Sequence, residues 1–189
     1  MYEQGVKARF LLCLLLIGAC AKREPLPVLG TVPAFSLTSQ AGTAFSSSAL
    51  TGKPWVANFV FTRCPTICPT FTAKMASIQK KTGDELNLVS FTVDPEFDTA
   101  EKLAEYATKF HATPRWKFLT GDRAAIEAVV VKGLMQTMVK GDGSLMSIGH
   151  GSYFVLIDSK QQIRGFYRFN DDDSVEHVVK DAATLAAGG

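Results

Sequence analysis

An excess of either charge is missing from this 189-residue chain: 20 Lys and Arg stand against 18 Asp and Glu, a formal balance of +2. A near-neutral chain carries no electrostatic footprint for nucleic acid. Long hydrophobic runs are missing too. The apolar block from Phe10 to Ile17 holds eight residues, whereas a bilayer-spanning helix needs about 20. No internal repeat or low-complexity tract divides the chain. Histidine and cysteine are scarce, three and four residues, which confines any site built on imidazole or thiolate to a few positions.

What is there begins at the N-terminus. Lys7 and Arg9 precede the short apolar block, the pattern of a signal peptide, which predicts export. Ile17-Gly18-Ala19-Cys20 resembles a bacterial lipobox, in which cleavage before the cysteine is coupled to lipidation of its sulfur. An ordinary signal peptide with incidental cysteines is the alternative. On the first reading residues 1–19 are removed and Cys20 becomes a lipidated N-terminus. The protein is then anchored to a bacterial membrane, inner or outer, facing the periplasm or the cell exterior. Several acyl chains hold firmly where a single one binds reversibly. Removing residues 1–19 takes two basic residues and one acidic, leaving 170 residues with 18 Lys and Arg against 17 Asp and Glu, enough for one domain with a sizeable core. Residues 20–33, with Pro25, Pro27 and Pro33, read as an extended tether. The domain is expected over 34–189, its fold starting near Phe35. Cys13 leaves with the signal and Cys20 is consumed, so Cys64 and Cys68 are the thiols that remain. In an oxidising compartment a lone close pair is a disulfide or a metal clamp.

The pattern along the domain predicts an N-terminal β-hairpin, with strands over 34–37 and 43–45 around a turn at Gln40 to Gly42. Trp55 to Thr62 is almost continuously apolar, as a central strand buried on both faces would be. A helix follows from Pro69 to about Lys81, with Phe71, Met75 and Ile78 on one face. Leu86 to Val93 supplies a strand, Asp98-Thr99 can cap a helix running to about Phe110, and Trp116 to Leu119 forms another strand. Residues 122–133 read as a third helix. A glycine-rich loop through Gly141, Gly143 and Gly149 leads to strands over 153–157 and 163–168. Asp173-Ser174-Val175-Glu176 resembles a capping box for a last helix reaching about Ala186. Parallel β-α units followed by an antiparallel pair and a closing helix describe an α/β, thioredoxin-like fold: a central mixed sheet flanked by helices, with an N-terminal hairpin extension. A flavodoxin-like sheet competes, and the antiparallel ending favours the first.

Cys64-Pro65-Thr66-Ile67-Cys68-Pro69 sits where a strand hands over to a helix. Proline disfavours helical geometry in the residue before it, which predicts Cys64 extended and Cys68 at the helix N-cap with Pro69 at N1. The positive end of the helix should lower the thiol pKa. Thioredoxin-type pairs have two intervening residues; here there are three. The longer loop allows a disulfide, with sulfurs ~2.05 Å apart, or two thiolates splayed up to ~4.6 Å on one metal ion.

Two thiolates alone rarely make a selective metal site, so for the metal alternative a third ligand is to be sought among His111, His150 and His177. His150, between Gly149 and Gly151 just before an apolar strand, lies in the loop that in a thioredoxin-like fold faces the cysteine turn. A surface loop histidine is the plain alternative. His111 ends a helix and His177 lies among acids on the last one, so structural or solvated roles suit both. Met135, Met138 and Met146 carry thioethers that can ligate a soft metal ion, although methionines more often fill core gaps. The run Asp171 to Asp173 reads as a solvated loop and helix cap.

Three segments together resemble a known family. Phe61-Thr62-Arg63-Cys64-Pro65-Thr66-Ile67-Cys68-Pro69 resembles the F-T-x-C-P-x-x-C-P signature of the SCO/SenC copper chaperones. Thr92 to Thr99 resembles their V-D-P-E-x-D-T segment, and Ile148-Gly149-His150 with Leu156-Ile157-Asp158 their histidine block. Weaker agreement at residues 33–37, 50–53 and 119–121 extends the likeness over nearly the whole domain. The resemblance implies a thioredoxin-like fold binding one copper, Cu(I) or Cu(II), through Cys64, Cys68 and His150. It also implies an auxiliary role near the metal for Asp94, whose local alternative is simply to end a strand and begin a turn. Soft thiolates suit Cu(I) and imidazole accepts either oxidation state, whereas zinc would want a fourth strong ligand. The chain departs from the family pattern at Thr66, Phe97 and Gly149, which bears on ligand orientation and partner electrostatics.

The resemblance thus implies a membrane-tethered copper metallochaperone. Its partner would be the copper A-bearing subunit of cytochrome c oxidase, to which it delivers copper or whose cysteines it keeps reduced, with other copper chaperones or thiol reductants as further partners. A metal-free thiol-disulfide oxidoreductase or peroxide-handling enzyme, with Cys64 attacking and Cys68 resolving, is the second reading. A structural disulfide in a binding domain is the third, and it explains neither the flanking prolines nor His150.

Overall fold

The computed structural model describes residues 25–65, 67–139, 149–150 and 152–188. At its centre lies β4 (Trp55–Val60), all six residues buried. It pairs in parallel with β5 (Asn87–Thr92), which pairs in parallel with β6 (Trp116–Thr120). On the other side β4 meets β9 (Tyr153–Ile157) antiparallel, and β9 meets β10 (Gln162–Arg168) antiparallel. The hairpin of β2 (Ser36–Ser39) and β3 (Ala44–Ser46) extends the sheet beyond β6, and β1 (Gly30–Thr31) closes the opposite edge against β10. The order β1-β10-β9-β4-β5-β6-β2-β3 makes one mixed eight-stranded sheet. A two-stranded ladder, β7 (Met138–Val139) with β8 (Gly149–His150), stands apart from it and is not foreseen by the sequence pattern.

Strand alternation divides the core. Trp55, Ala57 and Phe59 point to one face with Phe91, Leu119 and the apolar residues of α3 (Arg123–Glu127) and the π turn that continues it, Ala128–Gly133. Val56 and Val60 point to the other face, covered by α1 (Ile67–Lys81), α2 (Ala100–Lys109) and α4 (Ser174–Ala186) through Phe71, Met75, Ile78, Leu103 and Val178. A sheet with both faces covered is why the β4 sequence is apolar without alternation.

Four expectations change. The fold starts earlier than Phe35: Leu26 packs on the core, the Arg164 guanidinium donates to the Leu26 and Pro27 carbonyls, and Leu29 N–H donates to Ile163 at 2.8 Å. A tether of the expected kind must therefore end before Leu26. The expected single helix over 122–133 keeps its Asp122 cap but becomes a π turn after Glu127. Asp173 makes no capping hydrogen bond from its side chain, because its backbone, at φ −92° and ψ 7°, lacks the extended geometry of a helix cap, and Glu176 pairs with Lys81 at the end of α1. Finally, Thr99 alone caps α2 with its side chain; Asp98 turns inward instead.

Candidate functional site

The parallel register decides which segments meet. Val60 is level with Thr92, so the residues after them, Phe61 to Cys64 and Val93 to Asp98, emerge side by side at the carboxyl end of adjacent central strands. Val93 N–H donates to Val60 C=O at 2.9 Å, extending the ladder into both segments. Two motifs some thirty residues apart in sequence thereby form one surface.

Asp98 organises it. The carboxylate is fully buried and accepts from Thr62 N–H at 3.1 Å, Thr62 Oγ1 at 2.6 Å and Thr92 Oγ1 at 2.6 Å. Burial raises its pKa, and the hydrogen bonds from Thr62 and Thr92 oppose the rise. The residue thus pins the end of β4 two positions before Cys64. Asp98→Ala should lower unfolding stability by on the order of 3 kcal/mol, since three donors lose a charged acceptor. Urea titration at neutral pH measures it; an unchanged midpoint would contradict this assignment. Sequence reading treated Asp98 as a cap only. Threonines at the ends of two neighbouring strands were the available signal.

Asp94 is buried and receives Arg63 Nε at 2.7 Å. Its carbonyl also accepts from Phe97 and Asp98 N–H groups, so it is a turn residue as well. The Arg63 guanidinium lies 4.5 Å from the Phe97 ring centroid and Lys102 Nζ 3.3 Å from it. Phe97 therefore gathers two cations next to the cysteine segment, a geometry of cation–π attraction. Arg63 was not singled out in the sequence, although it sits inside the cysteine motif.

Cys64 is half-buried and Cys68 fully buried, and both are thiols. Cys64 N–H donates to Phe61 C=O at 3.1 Å, which closes the turn. Cys68 N–H donates to Cys64 Sγ at 3.4 Å. Helix α1 begins at Ile67, so Cys68 occupies its first turn and not the expected N-cap, and Pro69 is the third helical residue. The expected fall in pKa also fails for Cys68. Burial pushes its thiol far above the ordinary cysteine range, and a hydrogen bond from the Phe61 backbone opposes this only partly. Desolvation in an apolar core outweighs the helix end. The Cys68 N–H, in the first turn of α1, points at the Cys64 sulfur.

The histidines separate clearly. His111 follows the end of α2 in the left-handed region, φ 53°. Trp116, five residues on, is level with Leu88 at the amino end of the strands, away from the cysteines. His177 is exposed on α4, its Nε2 4.0 Å from Asp173. Its neighbour Glu176 touches Lys81 at the end of α1, ~20 Å along that helix from Cys68. Of His150 the structure describes the backbone, in β8 opposite Met138. Three residue steps separate it from Tyr153, a reach of at most ~11 Å. Because Val155 pairs with Ala57 antiparallel, the start of β9 lies towards the carboxyl end of β4, the end that carries the cysteines. Met138 packs in the same core cluster as both cysteines, whereas Met135 is exposed beside Gly30 at the far edge. Cys20, Thr66 and Met146 lie outside the described residues, and among the described residues no three His, Cys, Asp or Glu form a cluster that could hold a metal ion.

A mixed sheet carrying two thiols where its central strand hands over to a helix defines a thioredoxin-like dithiol protein. Comparison with known proteins agrees and narrows it. The sequence model of the SCO1/SenC family matches residues 26–187. The SCO1 protein homolog of Bacillus subtilis is 31% identical over 84% of this chain and 86% of its own. The chain belongs to the SCO1/SenC family. A SCO1/SenC family lipoprotein from Bacillus anthracis has a similar structure, TM-score 0.78, at 34% identity over 87% of this chain and 98% of its own. BsSco, described as a member of the Sco family of cytochrome c oxidase assembly proteins and as containing a disulfide switch, aligns with TM-score 0.77 at 29% identity over 86% of this chain and 97% of its own. Bradyrhizobium japonicum ScoI, solved with copper bound, aligns with TM-score 0.69 at 26% identity over 82% of this chain and 99% of its own.

Proposed function

We propose that this protein is a membrane-tethered copper carrier for cytochrome c oxidase assembly, binding one copper ion through Cys64, Cys68 and His150. It would deliver the metal to the copper A-bearing subunit or keep that subunit's cysteines reduced. The observation that carries the reading is the thiol pair itself. Cys64 is half-buried and its Sγ accepts the Cys68 N–H at 3.4 Å, with Cys68 itself fully buried. Two sulfurs so placed, with an imidazole from the segment before β9, make a soft donor set that selects Cu(I) and accepts Cu(II). Cys64 is the sulfur that meets an incoming ion first. Cys68 joins as its proton leaves, and each thiol that binds releases one proton. Asp94 serves indirectly, by holding Arg63 beside Cys64. The copper-bound ScoI relative and the oxidase-assembly role of BsSco support cargo and purpose.

The lipid anchor at Cys20, after removal of residues 1–19, belongs to the same proposal. It is supported by a family relative that is a lipoprotein. No helix among the described residues is long and apolar enough to cross a membrane.

A thiol-disulfide function is the second reading, favoured by the approach of the Cys68 N–H to Cys64 Sγ and by the disulfide switch of BsSco. The two readings make one joint prediction. Oxidation should join Cys64 to Cys68 and abolish copper uptake, because a coordinating sulfur must be a thiolate. Alkylation with mass spectrometry counts the thiols while copper is titrated. Full loading of protein with no alkylatable thiol would refute ligation by this pair.

A further inference from the structure

The segment leading into the domain is a docked strap. Arg164, itself buried and paired with Asp158 at 2.7 Å, donates to the Leu26 and Pro27 carbonyls. Leu29 N–H and Val32 N–H bond to Ile163 and Gln161, and β1 lies between them on β10 as the edge strand. Five large hydrophobic residues are exposed among those described: Val28, Leu29, Ile67, Val131 and Met135. Ile67 belongs to the cysteine turn. Three of the others border the strap: Val28 and Leu29 are in it, and a Cβ added at Gly30 would come within 2.4 Å of Met135 Cε. Val131 lies in the π turn whose Gly133 packs on Pro33, where an added Cβ would stand 2.8 Å from the proline Cδ.

Chain length then constrains what can cover this edge. Six residue steps separate Cys20 from Leu26, and at no more than ~3.6 Å per residue a lipidated Cys20 lies within about 20 Å of the docked strap. A domain held so closely has little freedom to turn its strap away from the bilayer. We propose that the β1 edge, with Val28, Leu29 and Met135, rests on the lipid surface, so that the anchor orients the domain as well as retaining it. This inference rests on the lipid anchor proposed above. β4 lies three strands in from β1, which at ~4.8 Å per strand holds the strand bearing the cysteine turn about 14 Å above the contacting edge. Such a fixed height suits exchange with a partner that is itself embedded in the membrane.

The full-length lipidated protein in phosphatidylcholine vesicles tests this by tryptophan quenching. Trp55 and Trp116 are fully buried and supply a background that doxyl-labelled lipid should leave unchanged. A tryptophan introduced as Val28→Trp or, in a separate protein, Leu29→Trp should be quenched about twofold or more by doxyl lipid, as expected of a side chain reaching the headgroup boundary. Ala41→Trp, in the exposed β2–β3 turn at the opposite sheet edge, should not be quenched. Vesicle flotation, run in parallel with Cys20→Ser, monitors the anchor. Protein that floats through Cys20 with positions 28 and 29 unquenched, or with all three positions quenched equally, overturns the docked edge and leaves the anchor standing. Cross-linked dimers with unquenched strap tryptophans assign the edge to a second copy and overturn the membrane contact. Flotation unaffected by Cys20→Ser removes the anchor and this inference with it.

Discussion

Cys64→Ser and Cys68→Ser should each abolish the thiolate-to-copper charge-transfer absorption of the Cu(II)-loaded protein and lower copper affinity by more than about a hundredfold. Loss of a mere hydrogen-bond partner of a ligand already costs 10–100-fold, so loss of a ligand costs more. The two variants should differ in stability. Cys64 is half-buried and its replacement should be nearly silent in urea. Cys68 is fully buried among apolar side chains, and a serine hydroxyl there should cost about 1–3 kcal/mol. Absorption spectroscopy during Cu(II) titration reads the first effect and urea unfolding the second. An unchanged spectrum and stoichiometry in both variants would remove the thiolates from the site.

His150→Ala should divide the two functional readings. If copper is the cargo, the variant keeps both thiols but loses the nitrogen donor that Cu(II) favours beside sulfur, so Cu(II) affinity should fall by about a hundredfold and Cu(I) affinity by much less. Disulfide reduction should be unaffected, because a metal-free dithiol cycle has no obligatory use for that imidazole. In cells the variant should then match the oxidase-assembly defect of a double cysteine variant despite normal thiol chemistry. Normal copper loading and normal oxidase assembly in His150→Ala, with loss of a reductase activity in either cysteine variant, would establish the oxidoreductase instead.

Much of this architecture was legible in local pattern. The unbroken apolar run of β4 announces a strand covered on both faces, and the 3.6-residue spacing of Phe71, Met75 and Ile78 announces the face of α1. Both signals depend only on which side chains water rejects and on backbone periodicity. The ends of elements were less legible. Cys68-Pro69 reads locally as a helix entrance, yet the helix begins one residue before Cys68. The acids near residue 173 read as a capping box, yet Glu176 finds Lys81 on another helix. A local propensity worth about a kcal/mol yields readily to a tertiary partner.

The sequence by itself determined the α/β class, the spacing of the two thiols and the motifs that mark the family, because each is written in consecutive residues. Only the tertiary structure decided how those thiols differ. Parallel pairing of β4 with β5 brings Asp98 and Asp94 beside the cysteine segment. Packing of α1 against the sheet then buries Cys68 fully and leaves Cys64 half-buried under a helix N–H. It also decided that residues 26–32 belong to the domain and not to a tether, through the buried Arg164 that binds their carbonyls. Desolvation and long-range hydrogen bonding depend on what lies across space, and a one-dimensional pattern records neither.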